Sequence, residues 1–150
     1  MLPKSRYLAM AVILLGVVSL VIGVVFIAQG ISVRGQIAEG LRAEKVTLGI
    51  EEDLVEKGDV VDTEAEARGA EGTLEEHLRE SYVTYGDTER DSPERTTYLA
   101  GTTLRNALNI AIMGYGVATV IIGAGVFMII TGLALGATGV VLLRLPRGTF

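Results

Sequence analysis

Between Tyr7 and Gln29, and again between Asn106 and Leu143, no side chain is charged, and all 18 Asp and Glu residues lie between those two stretches. Charge is costly at the centre of a bilayer, and a hydrocarbon core of about 30 Å takes roughly 20 helical residues to cross. A chain patterned this way reads as an integral membrane protein with one sizeable soluble loop.

The first stretch, Leu8 to Ala28, fits one crossing. It is too long for the apolar segment of an ordinary cleaved signal peptide, although Ala28 and Gly30 form a weak cleavage-like pair. An uncleaved signal anchor is expected. The second stretch is too long for one crossing and slightly too short for two with a turn. Charge decides between them. Lys4 and Arg6 precede the first stretch, and Arg144 and Arg147 follow the second. The preference of Lys and Arg for the cytoplasmic side then puts both tails inside and requires an even number of crossings. The expected layout is a cytoplasmic tail (1–6), a first span (7–29), an acidic extracytoplasmic domain (30–119), a second span (120–143) and a second cytoplasmic tail (144–150). The chain would be a two-pass protein of the cell membrane. Residues 106–119 would continue the second helix beyond the bilayer, buried against protein; a re-entrant or three-span arrangement is the alternative.

The loop from Ile31 to Arg105 carries the 18 acids and nine basic residues, a net charge of −9. Phosphate contacts need a basic face, so nucleic acid is excluded as a partner, and anionic lipid headgroups would repel the loop. The expected partners are the bilayer itself, another membrane protein, or a second copy. The chain has no cysteine, so no disulfide secures a domain expected in an oxidising space. It also has no Asn-x-Ser/Thr acceptor site.

Small residues recur every seven positions through both stretches: Ala9, Gly16, Gly23 and Gly30 in the first, and Ala111, Ala118, Gly125, Gly132 and Gly139 in the second. Such a repeat keeps one row facing a partner helix in a left-handed supercoil. Small residues on that row let two backbones approach, which is how helices gain packing energy in lipid. Antiparallel pairing would set Ala9 near Gly139 and Gly30 near Ala118. Gly132 and Gly136 form a further, weaker small-xxx-small pair. Abundant glycine in membrane helices generally is the plain alternative.

Ile31, Val33, Ile37 and Leu41 extend the first helix's apolar stripe to about Glu44. Beyond it, Val46, Leu48 and Ile50 alternate in strand fashion. Lys57-Gly58-Asp59 reads as a turn between Leu54-Val55 and Val60-Val61. Thr63 with Glu66 makes a capping box for a helix to about Ser81, which Gly69 and Gly72 weaken and Thr73 with Glu76 could restart. Ser92-Pro93-Glu94 is a strong helix start, from which one helix can run to Leu143. The expected fold is mainly α: a transmembrane hairpin of two antiparallel helices extended into a stalk, with a small α/β domain formed by the loop.

No catalytic constellation is present. His77, the sole histidine, shares a helix face with Glu80, but zinc takes three or four ligands, so a solvated face is expected. Asp87, Glu89 and Asp91 alternate like the opening of a calcium loop, yet Ser92 stands at its glycine position and Tyr98 at its final glutamate. Tyr82, Tyr85 and Tyr98 are expected to pack the loop onto the helices. Asn106 and Asn109, beside Arg105, could hydrogen-bond across the helix pair or to loop backbone. At bilayer depth only Ser19, Thr131 and Thr138 are polar, and the lack of ionisable groups argues against a pump or coupled transporter. No cofactor, metal or catalytic residue is expected.

The segments Leu41-Arg-Ala-Glu-Lys-Val-Thr47, Tyr82-Val-Thr-Tyr-Gly-Asp-Thr-Glu-Arg-Asp-Ser-Pro-Glu-Arg95 and Thr102-Thr-Leu-Arg-Asn-Ala-Leu108 resemble a group of small, uncharacterised two-span prokaryotic membrane proteins of actinobacterial type. The resemblance is of architecture. Some members bear a ring-opening dioxygenase label, which implies iron held by histidines and a carboxylate, and this chain offers only His77. The expected function is a non-enzymatic structural or interaction protein (a subunit, anchor or envelope scaffold). A small homo-oligomeric channel or permease subunit is the alternative, since the loop's acids could gather cations at a pore mouth.

Overall fold

The computed structural model describes residues 4–81 and 84–144. Tyr82, Arg147 and the terminal segments 1–3 and 145–150 lie outside the described residues. Four α-helices follow in order: α1 (Lys4–Glu44), α2 (Glu52–Val55), α3 (Glu64–Ser81) and α4 (Pro93–Arg144), with a 3₁₀ turn at Tyr85–Asp87. The chain forms two compact units: the first holds Met1–Ser32 and Ala118–Phe150, the second Val33–Val117.

In the first unit α1 and α4 are both long and apolar enough to cross a membrane. Little of either helix's most apolar stretch is buried within the chain, 17% in α1 and 11% in α4. A core helix of a water-soluble protein would show the opposite. Leu8, Leu14 and Val24 on α1, and Phe127, Ile130 and Leu133 on α4, all face outward. α4 is unbroken from Pro93 to Arg144, so residues 106–119 form no separate re-entrant segment.

The second unit is helical too. Among the described residues there is no strand, which corrects the expected α/β domain. Val46, Leu48 and Ile50 do turn inward against the core, so their alternation correctly reports half-burial. Pairing is what they lack. The Val61 amide donates to the Val46 carbonyl at 2.8 Å, but the Ile50 amide turns back onto the Thr47 carbonyl. Gly49, at φ +80°, breaks the extended run.

The helix ends follow local chemistry. α1 stops at Glu44 because Lys45 takes a left-handed conformation, φ 51°, with its amide bonded to the Arg42 carbonyl. α3 opens on a reciprocal capping box: the Glu66 amide donates to Thr63 Oγ1 at 3.3 Å, and the Thr63 amide donates to Glu66 Oε2 at 3.0 Å. It runs through Gly69 and Gly72 without the restart that Thr73 suggested; the Thr73 hydroxyl instead donates back to the Gly69 carbonyl. At α4, Ser92 Oγ caps the Arg95 amide at 3.2 Å, with Pro93 in the first turn.

The second unit's core joins Leu41, Val61, Ala67, Ala70, Leu108, Ala111, Ile112 and Tyr115. Residues 106–119 are therefore buried on one face only. Ile110, Met113 and Val117 stand exposed on the rest of the turn, so the expected burial against protein extends to the core-facing side alone.

Two substitutions probe this unit. Leu108→Ala, at a fully buried position, should destabilise it by about 2–5 kcal/mol. Gly49→Ala should cost about 1–3 kcal/mol, because its φ of +80° disfavours a side chain and a Cβ there would stand 3.1 Å from the Ala70 amide nitrogen. Denaturant unfolding of the detergent-solubilised protein, followed by circular dichroism, measures both.

Candidate functional site

The small-residue rows meet at backbone distance. A Cβ added at Gly23 would stand 2.7 Å from the Gly125 carbonyl oxygen, and one at Gly125 the same distance from the Gly23 carbonyl. One turn pair further along, a Cβ at Gly132 would lie 2.7 Å from the Gly16 carbonyl, and one at Gly16 would lie 2.9 Å from the Gly132 carbonyl. A Cβ at Gly30 would lie 3.0 Å from the Ala118 carbonyl oxygen, and one at Gly139 would lie 3.2 Å from the Ala9 carbonyl oxygen. Ala9 and Ala118 are fully buried. The first unit thus brings together eight of the nine row residues; Ala111 belongs to the second unit, where it is part of the core. Gly136 also lines the contact from the side, its amide nitrogen 3.0 Å from a Cβ at Gly16, while its own Cβ position is open.

A side-chain hydrogen bond also crosses this contact. Ser19 Oγ, buried, donates to the Met128 carbonyl at 2.7 Å. Thr138 instead donates to the Ala134 carbonyl of its own helix, which satisfies its hydroxyl without a partner helix.

The second unit is held by polar contacts that sequence reading did not anticipate. Arg105 on α4 reaches two carboxylates of α3: its Nε donates to Glu71 Oε1 at 2.6 Å and its Nη2 to Glu75 Oε2 at 2.7 Å. Glu71 also accepts from Asn109 Nδ2 at 3.4 Å. Asn109 therefore bonds to α3 rather than across a helix pair or to loop backbone, and Asn106 is exposed. Tyr115 donates its hydroxyl to the Asp62 carbonyl at 2.6 Å, and Arg42 pairs with the Asp62 carboxylate at 2.6 Å. The partners are 53 and 20 residues apart in sequence, so no local motif announces them. The available signal was the arginine and tyrosine themselves, placed at core-facing positions of otherwise apolar helices.

These contacts shift ionisation. The Arg105 hydrogen bond holds the Glu71 carboxyl below the usual glutamate range, against an opposing contribution from burial. Glu66 is lowered chiefly by the Asp62 backbone amide. Burial raises the Tyr115 phenol, which keeps it a donor. Tyr85 and Tyr98 pack with ring centroids 6.3 Å apart, and the Arg95 guanidinium lies 4.5 Å above Tyr85. His77 is exposed on α3, and no group of three metal-ligating side chains forms among the described residues.

Gly125→Ala and Gly23→Ala should each weaken the helix contact by about 1–3 kcal/mol, as overpacking does. Gly136→Ala, with open space at its Cβ, should be neutral or slightly stabilising. Unfolding in detergent micelles ranks the three. A second expectation concerns pH. Glu66 and Glu71 have folded pKa values below their unfolded ones. Their contribution is therefore complete above about pH 4.3, the unperturbed glutamate value, and is lost as pH falls through the lowered values. Glu71→Gln should lower the melting temperature at pH 7 and shrink its further fall between about pH 5 and 3, which thermal melts across that range measure.

No family model, curated protein or solved structure matches this chain.

Proposed function

We propose that this chain is an integral membrane structural or interaction protein: a two-pass helical hairpin of the cell membrane that holds an acidic helical unit outside the cytoplasm and acts as a subunit, anchor or envelope scaffold. The observation that carries the reading is the packing of α1 on α4 in the first unit. Glycine brings their backbones close together, while the outward faces are mainly Leu, Val, Ile and Phe and carry no acidic or basic side chain between Tyr7 and Gln29 or between Ala118 and Leu143. Packing of this kind suits lipid, where close contact rather than water exclusion holds helices together. The basic residues Arg6 and Arg144, which flank the apolar stretches, favour cytoplasmic termini.

The second unit supports an interaction role rather than a chemical one. Five of its nine basic side chains, Arg42, Lys57, Arg68, Arg79 and Arg105, are engaged in ion pairs within the unit. Glu51, Glu52 and Glu56 make no ion pair among the described residues, and all three are exposed. The surface presented outward is therefore strongly negative.

Membrane fractionation tests the reading. The chain should remain in the pellet after alkaline carbonate washing. An external protease should digest the acidic unit on cells made permeable only at their outer layers, leaving both termini protected. Release into the carbonate supernatant, or an acidic unit resistant until the membrane is broken, would overturn the topology on which the proposed role depends.

A further inference from the structure

A second heptad row runs along α4, on positions its core-facing residues do not use. Within the acidic unit, Leu99, Thr103, Asn106, Ile110, Met113 and Val117 follow one another at alternating steps of four and three, the spacing of a coiled-coil contact row. Leu99, Ile110, Met113 and Val117 are 47%, 71%, 70% and 57% exposed. The buried residues of this stretch, Leu108, Ala111, Ile112 and Tyr115, fall on other positions of the repeat.

We propose that this row is the contact between two copies of the chain, their α4 helices packed in parallel about a two-fold axis. The proposal rests on the membrane reading above, in which the acidic unit lies outside the bilayer and lipid cannot cover the row. Three observations select a second copy as the occupant. The β-branched residues Thr103, Ile110 and Val117 occupy one core position of the repeat, and Leu99, Asn106 and Met113 the other; β-branched residues at the first position favour two parallel strands. Asn106 is the only amide in the row. Against lipid or an apolar partner its donors and acceptor would go unpaired, whereas across a two-fold axis Asn106 meets Asn106 and each satisfies the other.

Charge gives the third argument. Two units of net −9 repel one another wherever acids face each other, yet α4 carries no acid after Glu94. Ala107 and Gly116 flank the row, and nothing stands within 4 Å of a Cβ at Gly116, so a second helix can approach closely. The six side chains expose on the order of 500 Å² per copy, which brings a symmetric pair to about the 1,000 Å² that a stable interface needs.

The absence of cysteine makes disulfide mapping clean. Single variants Ile110→Cys, Met113→Cys and Val117→Cys would be oxidised with copper-phenanthroline in native membranes, beside the exposed controls Ala43→Cys and Thr97→Cys. The expected result is a homodimer at the three row positions, formed at least about tenfold faster than at the controls, since a core position of a parallel pair meets its own copy. Equal cross-linking at all five sites would overturn the proposal. So would thiols that stay uncross-linked, whether they react freely with a membrane-impermeant maleimide (an open face) or are shielded from it (a face covered by lipid or another polypeptide). Met113→Glu should also halve the native mass in mild detergent with helix content retained; an unchanged mass in a folded variant would refute the pairing. Carbonate retention is measured separately, so failure of the dimer is distinguishable from failure of the membrane reading.

Discussion

Two helices so close that a Cβ on a contact glycine would run into the partner's carbonyl oxygen have no room for a side chain between them. That closeness sets the terms for the rest of the first unit. Lipid chains are as apolar as leucine, so burying apolar area against another helix gains little there, and what remains is dispersion between well-fitted surfaces. Glycine lets the backbones supply that surface. The larger residues are displaced outward, which is why Leu8, Leu14, Phe127 and Leu133 are exposed in a chain whose contact row is made of its smallest side chains.

The second unit solves a different problem. Its apolar core is thin, with alanine at Ala67, Ala70 and Ala111 where a larger domain would place leucine. Polar contacts between distant segments supply the missing constraint. Arg105 ties α4 to two turns of α3, and Tyr115 ties the same helix to the segment before α3. Each bond joins groups that are partly screened from water, where a hydrogen-bonded charge is worth more than at an open surface. With 18 acids against nine basic residues in the unit, the acids in excess determine what its surface presents.

What could be read in the sequence was what is local or periodic. The end of α1 at Glu44, the capping box at Thr63 and Glu66, and the start of α4 at Pro93 each depend on a few adjacent residues. The alternation of Val46, Leu48 and Ile50 was real but under-determined, since period two reports which side is buried and says nothing about a neighbouring strand. Non-local pairs were illegible for a different reason. Glu71 could have joined any of several arginines, and only the packing of α3 on α4 selects Arg105. For residues 106–119 the absence of charge announced burial against protein but not how much of the helix surface it covers, since a core-facing side is enough to fix the helix.

A row of small residues repeated every seven positions is a ruler with identical marks. Sliding α1 along α4 by one heptad would bring Gly16 to Gly125 and Gly23 to Ala118, again small against small, so the row alone scarcely distinguishes neighbouring alignments. Ser19 does little to break the tie, because a displaced hydroxyl would find another helix carbonyl. The choice of alignment falls to side chains of unequal size beside the row, such as Ile13, Leu20, Ile27 and Ile129, and to the covalent continuation of both helices past Ser32 and Ala118. A slipped hairpin would thus be a low-lying competitor during insertion, and the flanking aliphatic residues serve to reject it as much as to stabilise the alignment observed.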